Sequence, residues 1–314
     1  MWNENKTLFE PQKKSEEIIL EDYYFKFPGE FSYSVVDDDY ACASAVPHED
    51  VIHEIYSNYY THVTANSKLR TILDGLVRSV FSSSVLGAIS RLTPLYSIVY
   101  HLNYGIKGGG YKILDYGCGN GEQSRFVKPQ NDWIGFDFDP TSADAGKAKG
   151  YTIFTDIEAL RSKSEAIGGF DYIIMSHILE HVTDPLSTLE KVSELLSENG
   201  EILVYTPNMQ AFGRALVGKY WRGYEAPRHF HIFSPKSLSR LIENSQNLKI
   251  STVTSTTRGN RNFMIAYFDL KGFPRILSKL MAYFYQYICW SVSILFSNRA
   301  GEELFAVIKR NNAK

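Results

Sequence analysis

Asp115, Gly117, Gly119 and Gly121 fall within one short segment, Ile113-Leu114-Asp115-Tyr116-Gly117-Cys118-Gly119-Asn120-Gly121. An apolar run leads into a glycine-rich turn, and Glu122–Val127 has the pattern of a helix after it. Glycines let a backbone turn tightly and approach a ligand closely. Asp137 closes the next apolar run, at the spacing where an acid can take ribose hydroxyls. A dinucleotide site would instead want GxGxxG and backbone amides aimed at a pyrophosphate. Here the glycines alternate and an acid precedes them, which suits a cationic nucleoside and repels a pyrophosphate. Cys118 reads as a small filler of the turn.

A second group is rich in histidine. His177, Glu180 and His181 follow the fourth apolar run of this region, and His229 and His231 follow Pro227-Arg228. If both segments border the same sheet edge, these groups converge. One histidine could then act as a general base, with His177 the first choice and His181 and His229 beside it. Alternatively they could cap and stitch loops. Arg228 matches carboxylate or phosphate in two-point contact, or pairs with Glu225. Trp221 and Tyr224 could wall a ring-shaped substrate, with His231 nearby, or simply pack their loop.

Such groups need a scaffold. Short apolar runs at Ile113–Leu114, Trp133–Phe136, Tyr151–Phe154, Tyr172–Met175 and Ile202–Tyr205 alternate with helical patterns. Asp184-Pro185 and Ser234-Pro235 are good helix openings. Alternating strand and helix predicts a doubly wound α/β core with a largely parallel sheet. Leu248–Val253 and Glu303–Ile308 read as closing strands, with an insertion at about 258–300 between them. Residues 1–65 read as an irregular, tyrosine-rich lead-in, and 66–106 as an amphipathic helical segment from the stripe beginning Leu69, Ile72, Leu73 and Leu76. The main domain then spans 107–314.

The stretches LDYGCGNG, GFDFDP, TDIEAL and SHILEHVTDP resemble successive motifs of class I S-adenosylmethionine-dependent methyltransferases. The continuation TPN…W…PRHFHIFSPKSLSRLIE is similar to a bacterial branch linked to surface-sugar, lipid-carrier or quinone-type substrates. The resemblance implies a Rossmann-like sheet of seven strands carrying an N-terminal helical or irregular extension. Asp115, Gly117 and Gly119, with Cys118 and Gly121 in the same loop, would line the methionine end. Asp137 would hold the ribose, Asp156 and Ile157 would flank the adenine, and Ser176 would sit with His177 at the mouth of the fourth strand. Some relatives carry Glu-x-x-Glu-His and use a divalent metal; here the first position is His177, and no metal is expected. His48–Val63 resembles the lead-in after a zinc-binding module, but only Cys42 is present there, so no zinc is expected.

The function expected from this resemblance is methyl transfer to a small-molecule, glycan or lipid-linked acceptor, most readily at oxygen. A nicotinamide-dependent oxidoreductase and a non-catalytic scaffold are the alternatives. The chain is 44% hydrophobic and 22% charged, with a formal net charge of −2, which speaks against a nucleic-acid partner. Three scattered cysteines and a polar N-terminus fit a cytoplasmic protein. Leu280–Asn298 contains no charged residue and approaches the length of a bilayer span. Its Gln, Ser and Tyr content instead favours a buried or dimer-interface helix, with peripheral membrane contact as the competing reading.

Overall fold

The computed structural model describes residues 2–5, 7–9, 15–56, 104–257, 259–296 and 301–311. The amphipathic stripe expected over 66–91 lies outside them. At the N-terminus, β1 (Trp2–Glu4), β2 (Glu16–Glu21), β3 (Glu30–Val36), β4 (Tyr40–Ala43) and β5 (Ala45–Pro47) precede α1 (Glu49–Tyr56). The expected irregular lead-in is therefore corrected. β2, β3 and β4 form an antiparallel meander, and the distant strand β11 (His231–Phe233) completes a four-stranded sheet in the order β11-β4-β3-β2. The acid run between β3 and β4 is turn chemistry: Asp37 and Asp38 both take positive φ, which short Asx side chains tolerate.

The main sheet begins with β6 (Lys112–Tyr116), β7 (Asp132–Phe136), α2 (Pro140–Lys147), β8 (Ile153–Phe154), α3 (Ile157–Ile167) and β9 (Phe170–Ser176). It continues with α4 (Pro185–Ser193), β10 (Leu196–Pro207), α5 (Phe212–Val217), α6 (Pro235–Glu243) and β12 (Leu248–Thr256). Finally come α7 (Asn260–Leu270), α8 (Arg275–Phe296) and β13 (Glu303–Arg310). The seven strands lie in the order β12-β13-β10-β9-β6-β7-β8. β13 runs antiparallel to both its neighbours, whereas β6 to β10 pair in parallel. The chain reverses its direction of winding between β6 and β9, so a crevice opens there beyond the strand ends.

Alternation along the strands divides the core. Leu114, Ile173, Met175, Ile202 and Val204 pack with Leu160, Leu189 and Leu238 of the covering helices. Ile113, Ile174, Leu203 and Tyr205 pack on the other face with Tyr104, Ile106 and Val127. This is the period of two that sends successive side chains to opposite faces. The helices expected after Asp184 and Ser234 start there, whereas Glu122–Phe126 forms a 3₁₀ turn and not the α-helix its pattern suggested. Asp139, Asp156, Asp184 and Ser234 accept backbone N–H bonds as N-caps, three of them followed by proline.

The insertion is a helical pair, α7 and α8. Ser278, Ala282, Tyr285 and Cys289 of α8 are buried, while Ile276, Leu280, Phe284 and Tyr287 are exposed. The helix is thus two-sided and not buried all round. Among the described residues no helix is long and apolar enough to cross a membrane.

Candidate active site

Gly117, Gly119 and Gly121 all take positive φ as the chain leaves β6. At Gly117 a Cβ would lie 2.0 Å from Ile178 Cδ1, so the loop after β9 is seated directly on the glycine loop. Asp115 is buried at the crest of β6, paired with Gly135 of β7 and Ile174 of β9. Asp137, half-buried at the end of β7, fixes the loop: Gly119 N donates to its Oδ2 at 2.6 Å, and Asp139 N to its Oδ1 at 2.9 Å.

Cys118 reports the field here. Burial raises its thiol pKa far above the ordinary range, and the Asp115 and Asp137 carboxylates add to the rise. It is a packing residue, as expected. The crevice at the end of β6 is thus lined by two carboxylates and by glycines, and Glu122 in the short 3₁₀ turn that follows is paired with Lys149 at 3.2 Å. It fits an ammonium and a diol better than a pyrophosphate. Asp156 is exposed and spends Oδ1 on the cap of α3, accepting from Ala159 N at 2.7 Å, with Ile157 half-buried beside it. Ser176 is half-buried at the end of β9.

His177 takes φ 59° immediately after β9. Its Nδ1 lies 2.9 Å from Glu180 Oε1 and its Nε2 3.0 Å from Glu303 Oε1. Glu180 is fully buried, and its other oxygen accepts from the Thr206 hydroxyl at 2.9 Å. Burial alone would depress His177, but hydrogen bonds and charge from the two glutamates outweigh it and lift its pKa to about 10. Burial would likewise raise Glu180, yet His177 brings it down to about 2. Both ring nitrogens of His177, the histidine expected as base, are thus engaged by carboxylates.

His181 and His229 are different. Burial lowers both to about 4, and their rings meet edge to face at 4.7 Å. His181 Nδ1 lies 3.0 Å from the Arg228 carbonyl and 2.9 Å from the Tyr56 hydroxyl. His229 Nδ1 lies 2.7 Å from the Gly223 carbonyl. A carbonyl requires a donor, so each Nδ1 carries a proton, and burial, which disfavours the charged form, makes Nε2 the acceptor nitrogen. Glu180, His181 and His229 also bring ligand atoms within 4.8 Å of one another, which could hold a metal ion.

The side chains of the substrate residues expected from sequence have partners within the protein. Arg228 is 1% exposed, paired with Asp22 at 2.8 Å, donating to the Ile55 carbonyl and covered by the Phe25 ring at 4.5 Å. His231 is fully buried on β11, bonded to the Tyr40 hydroxyl and the Thr183 carbonyl. Trp221 donates to Glu302, and Tyr224 packs edge-on against Trp221 and Tyr33. Trp221 and Tyr224 belong to the core shared by the small sheet and helices α5, α7 and α8. Sequence reasoning missed Glu303, Thr206 and Tyr56, which hydrogen-bond His177, Glu180 and His181 respectively. Each lies on a separate element, and nothing in its own neighbourhood marks it.

Residues 91–250, half of the chain, match the family model described as a methyltransferase domain, and the chain belongs to that family. It is similar to the ubiquinone biosynthesis O-methyltransferase of Cereibacter sphaeroides, at 30% identity over 132 residues, covering 40% of this chain and 53% of that protein. The enzyme of the same description from Aliivibrio fischeri is 28% identical over 138 residues, covering 40% and 59%. The chain spans about half the length of the curated relatives it matches. Among solved structures, the plantazolicin methyltransferase BamL, in complex with a triazolic desmethylPZN analog and SAH, aligns at TM-score 0.43 and 14% identity, over 79% of this chain and all of that one.

Proposed function

We propose that the protein is an S-adenosylmethionine-dependent methyltransferase working in the cytoplasm on a small-molecule, sugar or lipid-linked acceptor, with a hydroxyl oxygen receiving the methyl group. The observation that carries this reading is the pair of carboxylates, Asp115 and Asp137, flanking a glycine loop where the sheet reverses its winding. The sulfonium cofactor supplies an activated methyl group. Asp115 faces its ammonium, and Gly117, Cys118, Gly119 and Gly121 form the loop around its methionine end. Asp137 takes the ribose diol, Asp156 and Ile157 border the adenine, and Ser176 stands at the mouth. Methyl transfer is an in-line displacement, so the protein acts mainly by alignment.

The acceptor's proton needs a neutral base. His181 fits that role, with Nδ1 held by a carbonyl and a tyrosine hydroxyl, and His229 stands beside it. His177 instead positions the loop after β9. The relatives named O-methyltransferases favour oxygen as the atom methylated. A second reading is favoured by the Glu180, His181 and His229 cluster: a divalent cation there would polarise the hydroxyl in place of a base.

Calorimetry tests the main reading. S-adenosylhomocysteine should bind the purified chain and NAD should not. Asp137→Ala should weaken that binding about a hundredfold, the loss of two charge-assisted hydrogen bonds. No heat from either sulfur nucleoside would overturn it. A labelled-methyl assay on cell extract, with and without EDTA, then reports the acceptor and separates base from metal.

A further inference from the structure

Thirteen large apolar side chains are exposed among the described residues, and nine of them belong to α5, α8 or the turn before α8. Ile276 is 78% exposed, Phe284 68%, Leu280 62% and Leu216 58%. Ile276, Leu280, Phe284 and Tyr287 recur at three- and four-residue steps, so they form one stripe of the helix. Beside the stripe an open groove of about 510 Å³ runs between α5, α7 and α8, lined by Leu216, Met264, Phe268, Leu280 and Phe284 among others. A continuous exposed apolar surface of this kind marks a contact.

Charge decides which contact. Residues 259–296 carry Arg261, Lys271, Arg275 and Lys279 against Asp269 alone, and α8 contains no acid. Lys271, Arg275 and Lys279 are exposed, and the last two are interleaved with Ile276, Leu277 and Leu280. Arg261 lies over Tyr283, to whose hydroxyl it donates at 2.9 Å. The buried core of a protein interface is depleted in lysine. A second copy across a twofold axis would also bring like charges together. An amphipathic helix with tyrosines and phenylalanines on one side and cations around them is instead the composition that settles into a bilayer interface.

We propose that the α5–α7–α8 face seats the protein on an anionic lipid bilayer, with the groove open to the acyl region. The surface lies one helix from the candidate site. Tyr285, on the buried side of α8, bonds Glu302, and the adjacent Glu303 grips His177. The inference stands without the methyl-transfer reading, because it rests on exposure and charge alone.

The test is co-sedimentation of the purified full chain with vesicles of phosphatidylcholine, alone or mixed with phosphatidylglycerol. Binding should require the anionic lipid and fall with salt. Leu280→Glu with Phe284→Glu should lower partitioning about tenfold or more, and Arg275→Glu with Lys279→Glu should lower it on anionic vesicles. Both pairs are surface changes, so circular dichroism and S-adenosylhomocysteine binding should stay as in the parent chain. The proposal is overturned if no protein sediments with anionic vesicles at low salt. It is equally overturned if the Leu280/Phe284 variant binds undiminished, or if light scattering shows a dimer that this variant splits.

Discussion

A guanidinium removed from water must find carboxylate and carbonyl oxygens, and Arg228 finds Asp22 and Ile55. Phe25 covers its face. Breaking such a pair leaves Asp22 charged and buried, so Arg228→Ala should cost about 3–5 kcal/mol, read as a lower urea midpoint. Arg228→Lys should recover little of it, because an ammonium cannot reproduce the planar fork. The same chemistry at the surface of the crevice has the opposite meaning. Asp137 is only half-buried and accepts from the backbone of Gly119 and Asp139 at the rim of the crevice. Replacing it should therefore cost ligand affinity far more than it costs fold.

At the scale of elements, the junction between β13 and α8 is held by Glu302. It is fully buried and accepts from Tyr285, Trp221 and Gly213 N, the last at 2.9 Å. Burial raises its pKa to about 7, against the lowering effect of those three donors. A folded-state pKa above the unfolded value means a contribution fully present below about pH 4.5 and lost as pH climbs through about 7. The whole contribution is at most about 3 kcal/mol. Thermal unfolding across pH 4 to 8 should show this decline in the parent chain. Glu302→Gln, which keeps an acceptor for the same donors, should flatten it. Because α8 presents its apolar stripe on the opposite side, loosening this junction would disturb the exposed face and the grip on His177 together.

At the scale of the whole molecule, the small sheet and the large one share their connections. β11 comes from the segment between α5 and α6, yet it pairs with β4, while Met209 N donates to the Phe233 carbonyl at 2.8 Å. The Tyr33 hydroxyl donates to the His229 carbonyl at 2.8 Å. The histidines of the site are thus supported from the N-terminal strands. Intact protein should unfold in a single calorimetric transition. A chain lacking residues 1–47 should lose that cooperativity, because β11 would be left as an open edge and Arg228 would be stripped of Asp22.

Every strand of the large sheet was legible as an apolar run, and two of the helix starts as Asp184-Pro185 and Ser234-Pro235. The glycine loop with its two acids was legible as well, because each of these signals is local: a few adjacent residues fix backbone preference and the period of burial. The charge state of the histidines was not. The pKa of His177 is raised partly by Glu303, 126 residues away, and Arg228 is paired with Asp22, 206 residues away. The same spacing, His-x-x-Glu-His, would leave a base, a ligand or a clamp depending on what lies opposite. Types and intervals of residues chose the family of fold and where its cofactor crevice opens. Burial, and neighbours brought from distant parts of the chain, chose which side chains are charged, which are packed and which still face the crevice.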